Sequence, residues 1–251
     1  MKKKLSYAVY KVVKFLVWVF YPKMDVVGAQ NLPDEPCIIA ANHTQMNGPI
    51  ACELYFPGRR YTWCAGQMMH LKEVPGYAFT DFWSHKPKYI RWFFKIASYV
   101  IAPLSVCVFN NAETIPVYRD ARLLTTFRQT LTRLTEGASV VIFPEHDGAY
   151  DHIVNDFQDK FVDIAKMYYK RTGKALQFVP MYIAPELKKM YIGSAVCFEP
   201  EADIKNERSR ICSHLMAQIS SMGRSAPEHT VVPYRNIPKK LYPNNKTGES
   251  K

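Results

Sequence analysis

The sequence predicts a single α/β domain, a mixed β-sheet flanked by helices, preceded by an amphipathic helix. Three observations carry this. Short apolar runs alternate with longer amphipathic ones across residues 26–228, as strands alternating with helices do. No internal repeat or low-complexity linker breaks that stretch. The 251 residues, 48% of them hydrophobic, suit one large domain with short appendages.

Taken in order, residues 1–24 form the first unit. Leu5–Tyr21 is apolar apart from Ser6, Lys11 and Lys14. Those lysines interrupt the apolar core, no small-residue cleavage site follows, and Pro22–Lys23 comes next, which argues against an export signal. Lys4, Lys11 and Lys14 share one helical face, with Val12, Phe15, Leu16 and Val19 on the other. Aromatic residues Tyr7, Tyr10, Trp18, Phe20 and Tyr21 suit headgroup depth, so an interfacial helix fits better than a core-packed one.

Residues 25–228 form the α/β domain. Its expected strands are Cys37–Ala41, Tyr61–Ala65, Thr114–Tyr118, Ser139–Phe143, Gln177–Ile183 and Met190–Phe198. The expected helices are Pro49–Tyr55, Tyr89–Val100, Ala121–Thr135, Gln158–Lys170 and Asp203–Ser221. Gly137 ends the third of these just before the next strand, as a tight helix-to-strand joint requires. The wider segment Tyr89–Val108 is strongly apolar around Arg91 and Lys95 and suits either a second membrane-contacting element or a buried helix pair. Residues 229–251, basic and rich in Pro and Asn, read as a mobile tail.

Charge follows the same division. Of the net +11, residues 1–25 hold six lysines against one acid and residues 229–251 hold five Lys or Arg against one acid. Such basic ends point to an anionic membrane surface, and the nearly balanced remainder argues against a nucleic-acid binder. Within the domain, residues 59–133 carry eleven Lys or Arg against four acids, a segment that would attract a phosphate-bearing ligand. The six cysteines, scattered without a CxxC pair and mostly inside apolar runs, read as reduced core thiols, with no metal site implied.

Four stretches place polar groups at strand ends, where α/β folds carry their sites. Asn42–His43 follows the strand in IIAANHTQMNGPIA, and a histidine there can act as a general base. Arg119 follows Ile115–Tyr118, and its guanidinium fork matches phosphate. Glu145, His146 and Asp147 follow Phe143–Pro144. Finally, Pro180 interrupts the strand FVPMYIA, which is disfavoured in a central strand unless the chain bends or lies at an edge.

In this order the four stretches resemble the glycerolipid acyltransferase family that includes the 1-acylglycerol-3-phosphate acyltransferases. The family pattern is Asn-His-x4-Asp, an Ile-x-x-Arg-like block, Phe-Pro-Glu-Gly-Thr-Arg-Ser, and a Val-Pro strand. The matching residues are Asn42–His43, Ile115–Arg119, Phe143–Glu145 and Val179–Pro180. The resemblance implies a glycerol-3-phosphate acyltransferase-like fold and cofactor-free acyl transfer, and the lack of export and organelle signals fits the cytoplasmic face of the membrane. The donor would be acyl-CoA or an acyl carrier protein thioester, and the acceptor a hydroxyl of a lysophospholipid-like molecule. His43 would be the base, and Asn42, Arg119, Glu145 and His146 would bind substrate.

Two departures stand out. Gly48 occupies the place of the family aspartate, leaving Asn47 as a neighbour able to hold the imidazole tautomer without supplying charge. Gly-Thr-Arg-Ser becomes His146–Asp147–Gly148–Ala149. The expectation is that Asp147, or Glu145, approaches His43 and replaces the lost carboxylate. The competing reading is a catalytically inactive relative that binds lipid at a membrane surface, and a Gly48→Asp change that restored activity would favour it.

Overall fold

The computed structural model describes residues 2–118, 120–243 and 245–249. In chain order the elements are α1 (Lys2–Phe20), β1 (Asp25–Val27), β2 (Ile38–Ala41), α2 (Asn47–Tyr55), β3 (Arg60–Ala65), α3 (Val74–Ala78), α4 (Arg91–Asn111) and β4 (Thr114–Val117). They continue with α5 (Leu123–Thr135), β5 (Ser139–Ile142), β6 (Glu145–Ala149), β7 (Asn155–Phe157), α6 (Asp163–Thr172) and β8 (Gln177–Ala184). The last are β9 (Lys189–Ile192), β10 (Val196–Cys197), α7 (Ile204–Ser225), β11 (His229–Thr230) and β12 (Lys246–Thr247).

The main sheet has eight strands in the order β1-β9-β8-β2-β5-β3-β4, with β10 also paired to β8. Strands β8, β2, β5, β3 and β4 are mutually parallel, whereas β9 and β10 run antiparallel to β8. Alternation along each central strand splits the core in two. Ile38, Ala40, Val140, Ile142 and Phe178 face a layer built from α5, α6 and α7, including Phe127, Leu131, Ile164, Tyr168, Ile211 and Leu215. Ile39, Ala41, Val141, Val179 and Met181 face the other way, onto Ala51 and Cys52 of α2 and Met24. The sheet is therefore mixed and covered on both faces, as the sequence predicts.

Pro180 sits in a central strand after all. It can do so because β10 pairs only with Gln177 and Phe178, and β9 only with residues from Met181 onward. Pro180, which lacks an N–H, falls in the gap between them, and its carbonyl accepts from Gly193 N–H at 2.9 Å. That same gap splits the single strand expected over Met190–Phe198. All six cysteines are free thiols.

Helix α1 lies with its apolar face outward. Tyr10 is buried, and its hydroxyl donates to Glu53 of α2 at 2.6 Å, beside Lys14 Nζ at 2.6 Å and Arg60 Nη2 at 2.5 Å on the same carboxylate. Burial alone would raise the Glu53 carboxyl, but Arg60, Lys14 and Tyr10 outweigh it and hold it below the usual range. With Tyr10 and Lys14 fastened to the domain, Leu5, Val12, Phe15, Leu16, Val19 and Phe20 are left exposed, as are Lys4 and Lys11. Helix α4 joins this face through Asn111, whose amide donates to the Ser6 hydroxyl of α1 at 2.7 Å. It rests on the domain through Ser98 and Ala102, while Trp92, Phe93, Ile96, Tyr99, Val100 and Leu104 point away.

Candidate functional site

Connections leaving β2 and β5 diverge. The chain leaves β2 towards β3 and leaves β5 towards β8, on opposite sides, so the carboxyl ends of this parallel pair form a topological switch point, where open α/β sheets place ligands. His43 follows β2 there and Glu145 follows β5. Both Glu145 oxygens are spent on backbone: Oε1 accepts from His43 N–H at 2.6 Å and Oε2 from Asn155 N–H at 2.9 Å. Glu145 thus holds the His43 turn to the β6–β7 hairpin. It contacts the histidine through its main chain, not through the imidazole.

The imidazole itself packs edge-on against Phe143, ring centroids 5.1 Å apart. Its Nδ1 is buried and has no hydrogen-bond partner among the described residues. Burial pushes the His43 pKa down to about 4, so the ring is neutral at neutral pH and its Nε2 can accept a proton. Thr44 and Gln45, which follow, adopt φ of 46° and 57°. A β-branched residue in this left-handed region is strained, and such strain persists where surrounding contacts impose it.

The other residues singled out in the sequence are placed as follows. Asn42 is buried, donating to Ile183 carbonyl at 3.0 Å and accepting from Ile183 N–H at 2.7 Å. Its amide extends β2 pairing onto β8, so it positions the turn and is not free to meet a substrate. Asn47 Nδ2 donates to the Thr44 carbonyl at 3.1 Å, closing the turn, and its Oδ1 lies 3.5 Å from the Tyr21 hydroxyl. His146 faces β7, with Nε2 3.4 Å from Asp156 and Nδ1 accepting from Gly148 N–H at 3.2 Å. Asp147 pairs with Arg235 at 2.8 Å and accepts from the Tyr234 hydroxyl. Arg119 lies outside the described residues. Neither Asp147 nor Glu145 makes the hydrogen bond to the imidazole that the sequence led us to expect.

Gly48 has a steric reason. A Cβ at this position would lie 2.4 Å from the His43 carbonyl oxygen and 2.9 Å from Phe143 Cε1. The first turn of α2 packs directly on the histidine main chain, and only glycine fits.

A separate cleft of about 470 Å³, beside the edge strand β4, carries no signature in the motifs above. His70 Nε2 lies 2.8 Å from the Tyr118 hydroxyl, and the Arg122 guanidinium stacks 3.8 Å above the Tyr118 ring. Gly66, just past β3, makes room, since a Cβ there would lie 2.3 Å from that ring. A glycine directly after an apolar strand was the available signal.

The Glu145 carboxyl, buried in this arrangement, is pushed up to about 7, the two backbone donors only partly offsetting burial. Between about pH 4.5 and 7 the folded protein therefore keeps a proton that the unfolded chain releases, so this group loses stability as pH rises. His43 works oppositely: between about pH 4 and 6.5 it stays neutral while the unfolded chain charges, so it gains stability as pH rises. Glu145→Gln removes the first contribution only. The stability gap between wild type and variant, measured by urea unfolding, should shrink by about 3 kcal/mol from about pH 4.5 to about pH 7.5. A gap independent of pH would contradict this assignment.

No family model matches the chain, and no curated protein matches it in sequence. Among solved structures it is similar to the crystal structure of the 1-acyl-sn-glycerophosphate (LPA) acyltransferase PlsC from Thermotoga maritima, at 14% identity and a TM-score of 0.47, over 88% of this chain and 79% of that one.

Proposed function

We propose that the protein is a membrane-associated acyltransferase that moves a fatty acyl group from a thioester to a hydroxyl of a lysophospholipid-like acceptor. The observation that carries this reading is the convergence of sequence-distant groups on one edge of the sheet. His43 follows β2 and Glu145 follows β5, at the carboxyl ends of adjacent parallel strands and at two of the positions where the acyltransferase-like motifs place their polar residues, and Glu145 accepts from the His43 N–H.

In this mechanism His43 Nε2 removes the acceptor proton as the acceptor oxygen attacks the thioester carbonyl. The tetrahedral intermediate then expels the thiolate, which takes the proton back from the imidazolium, leaving an ester and a free thiol. Neutral His43 is ready to act at neutral pH. With no Nδ1 partner among the described residues, charge support is lacking, and where a supporting Asp becomes Asn the loss is on the order of 10⁴ in rate. Slow turnover is therefore expected. Glu145 positions the His43 main chain, and Arg119, next in sequence to Tyr118, is assigned the acceptor phosphate. The donor is acyl-CoA or an acyl carrier protein. Thiol release from an acyl thioester, followed with and without each of a panel of lysolipids, tests the reading.

The α1–α4 face supports membrane association. Within Lys88–Asn111 an 18-residue window reaches a mean hydropathy of 1.7, and the helix is long and apolar enough to cross a membrane. Its flanking chain runs back into β3 and β4 of one sheet, however, so both helices are read as lying in the interface. Exposed aromatic residues Trp18, Tyr89, Trp92 and Tyr99 suit headgroup depth, with Lys4, Lys11 and Lys88 available to anionic lipid. Sedimentation with phosphatidylglycerol vesicles should capture the protein, and capture should fall between about 0.1 M and about 0.5 M salt. Leu16→Asp with Val100→Asp should weaken it at least about tenfold, since burying each apolar side chain is worth roughly 1.5–3 kcal/mol. Capture unchanged by the double substitution would place the membrane contact elsewhere.

A further inference from the structure

The two turns that carry His43 and Glu145 are bridged by a third segment, Tyr234–Tyr242, from the far end of the chain. Gln45, two residues past His43, donates to the carbonyls of Arg235 at 2.8 Å and Ile237 at 3.0 Å and accepts from the Tyr242 hydroxyl at 2.9 Å. Asp147, two residues past Glu145, holds the Tyr234 hydroxyl and the Arg235 guanidinium. Asn236 donates to Asp81 at 2.8 Å, in the segment between α3 and α4. The segment read from sequence as part of a mobile tail is thus tied at three points around the carboxyl edge of the sheet.

These ties have a particular character. No residue from Val232 to Pro243 is fully buried, and Arg235, Lys239, Lys240, Leu241 and Pro243 are exposed. The Arg235–Asp147 pair is exposed on both sides, a geometry in which ion pairs contribute little. Segments fastened this way open at low free energy. Gln45 and Asp147 also fall within the two motif blocks that depart from the acyltransferase pattern. Of the departing residues themselves, Asp147 anchors the segment, and Gln45 lies three residues before Gly48.

We propose that Tyr234–Tyr242 is a strap that shields the His43 imidazole, and that its release opens the site. The inference deepens the acyl-transfer reading by naming what controls entry to His43, yet its test requires no catalysis. Diethyl pyrocarbonate reacts with accessible neutral imidazoles, and peptide mass spectrometry resolves the rate at each histidine. The full-length wild type is compared with the combined variant Tyr234→Phe, Arg235→Ala and Asn236→Ala, which removes strap side chains without altering either turn. His43 should be labelled at least about fivefold faster in the variant, the change expected when local opening becomes modestly easier. His214, on α7 near the Ser194 carbonyl, should keep its rate and so report an intact fold. Amide hydrogen exchange over 234–242 should accelerate in parallel. An unchanged His43 rate beside faster strap exchange would show that the strap shields nothing. Unchanged strap exchange would show that these side chains do not hold it. If the variant misfolds, Arg235→Ala alone, at an exposed residue, must show the same change in smaller measure, and no change there overturns the proposal. Absence of acyl transfer in the wild type bears on the function and leaves the labelling result standing.

Discussion

His43→Ala should lower acyl transfer by roughly two to four orders of magnitude, the usual contribution of a positioned general base. The rate should fall while the fold survives. The imidazole is not a structural keystone: its Nδ1 has no partner among the described residues, and its close ring neighbour is Phe143. What fixes the turn is the His43 main chain, whose N–H the Glu145 carboxyl accepts at 2.6 Å, and alanine keeps that bond. The expected signature is a loss in kcat with urea unfolding shifted by no more than about 1–2 kcal/mol, within the range common for a single substitution. A variant that unfolds outright would mean that the ring holds the site together. Normal turnover would remove His43 from the chemistry.

Gly48→Asp should destabilise the protein by about 3 kcal/mol or more and should not raise activity. From sequence, Gly48 reads as the place where a carboxylate was lost, which invites putting it back. The structure overturns that invitation. A Cβ would sit 2.4 Å from the His43 carbonyl oxygen, which belongs to the backbone and cannot swing aside as a flexible side chain could. Phe143, 2.9 Å away, would also have to move, and it is the ring against which His43 packs. Overpacking in a well-filled site commonly costs 1–3 kcal/mol, and collision with main chain adds to that. Gly48→Ala carries the same Cβ without the charge and should lose about as much, separating sterics from electrostatics. A stable, faster Gly48→Asp protein would show that the first turn of α2 can retreat from His43.

Much of the architecture can be read directly from the residues. Strands β2, β5 and β8 are apolar runs with turn signals on both sides, and α5 and α7 are amphipathic over their whole lengths. Other elements leave little local trace. The β6–β7 hairpin begins as EHDGA, which no apolar alternation marks, and it is organised by the Glu145 carboxylate reaching two backbone donors. Helix α4 continues past the expected end at Val100, through Pro103, to Asn111. Pro103 removes one donor from the helix without ending it, and Asn111 is fastened by its amide to Ser6.

The site shows the same division. His43 and Glu145 are recognisable as strand-end residues. That the glutamate would take the histidine by its main chain was not, since residue type reveals a carboxylate but not which donor it meets. The strap was illegible for a related reason. Gln45 meets main-chain carbonyls some 190 positions away, and such contacts impose no pattern on the sequence near either partner.

In the proposed reaction His43, at the β2–β5 edge, is the base that lets a lipid hydroxyl take an acyl group from a thioester. The most direct test is mass spectrometry of lipid products after the protein is incubated with an isotopically labelled acyl thioester and a lysophospholipid panel on anionic vesicles. Wild type is run beside His43→Ala. A labelled diacyl product is expected from at least one acceptor with wild type, with its near-complete loss in the variant. Equal absence of product from both, on every acceptor and with either CoA or carrier-protein donors, would contradict the proposed reaction and leave a lipid-binding protein without acyl-transfer chemistry.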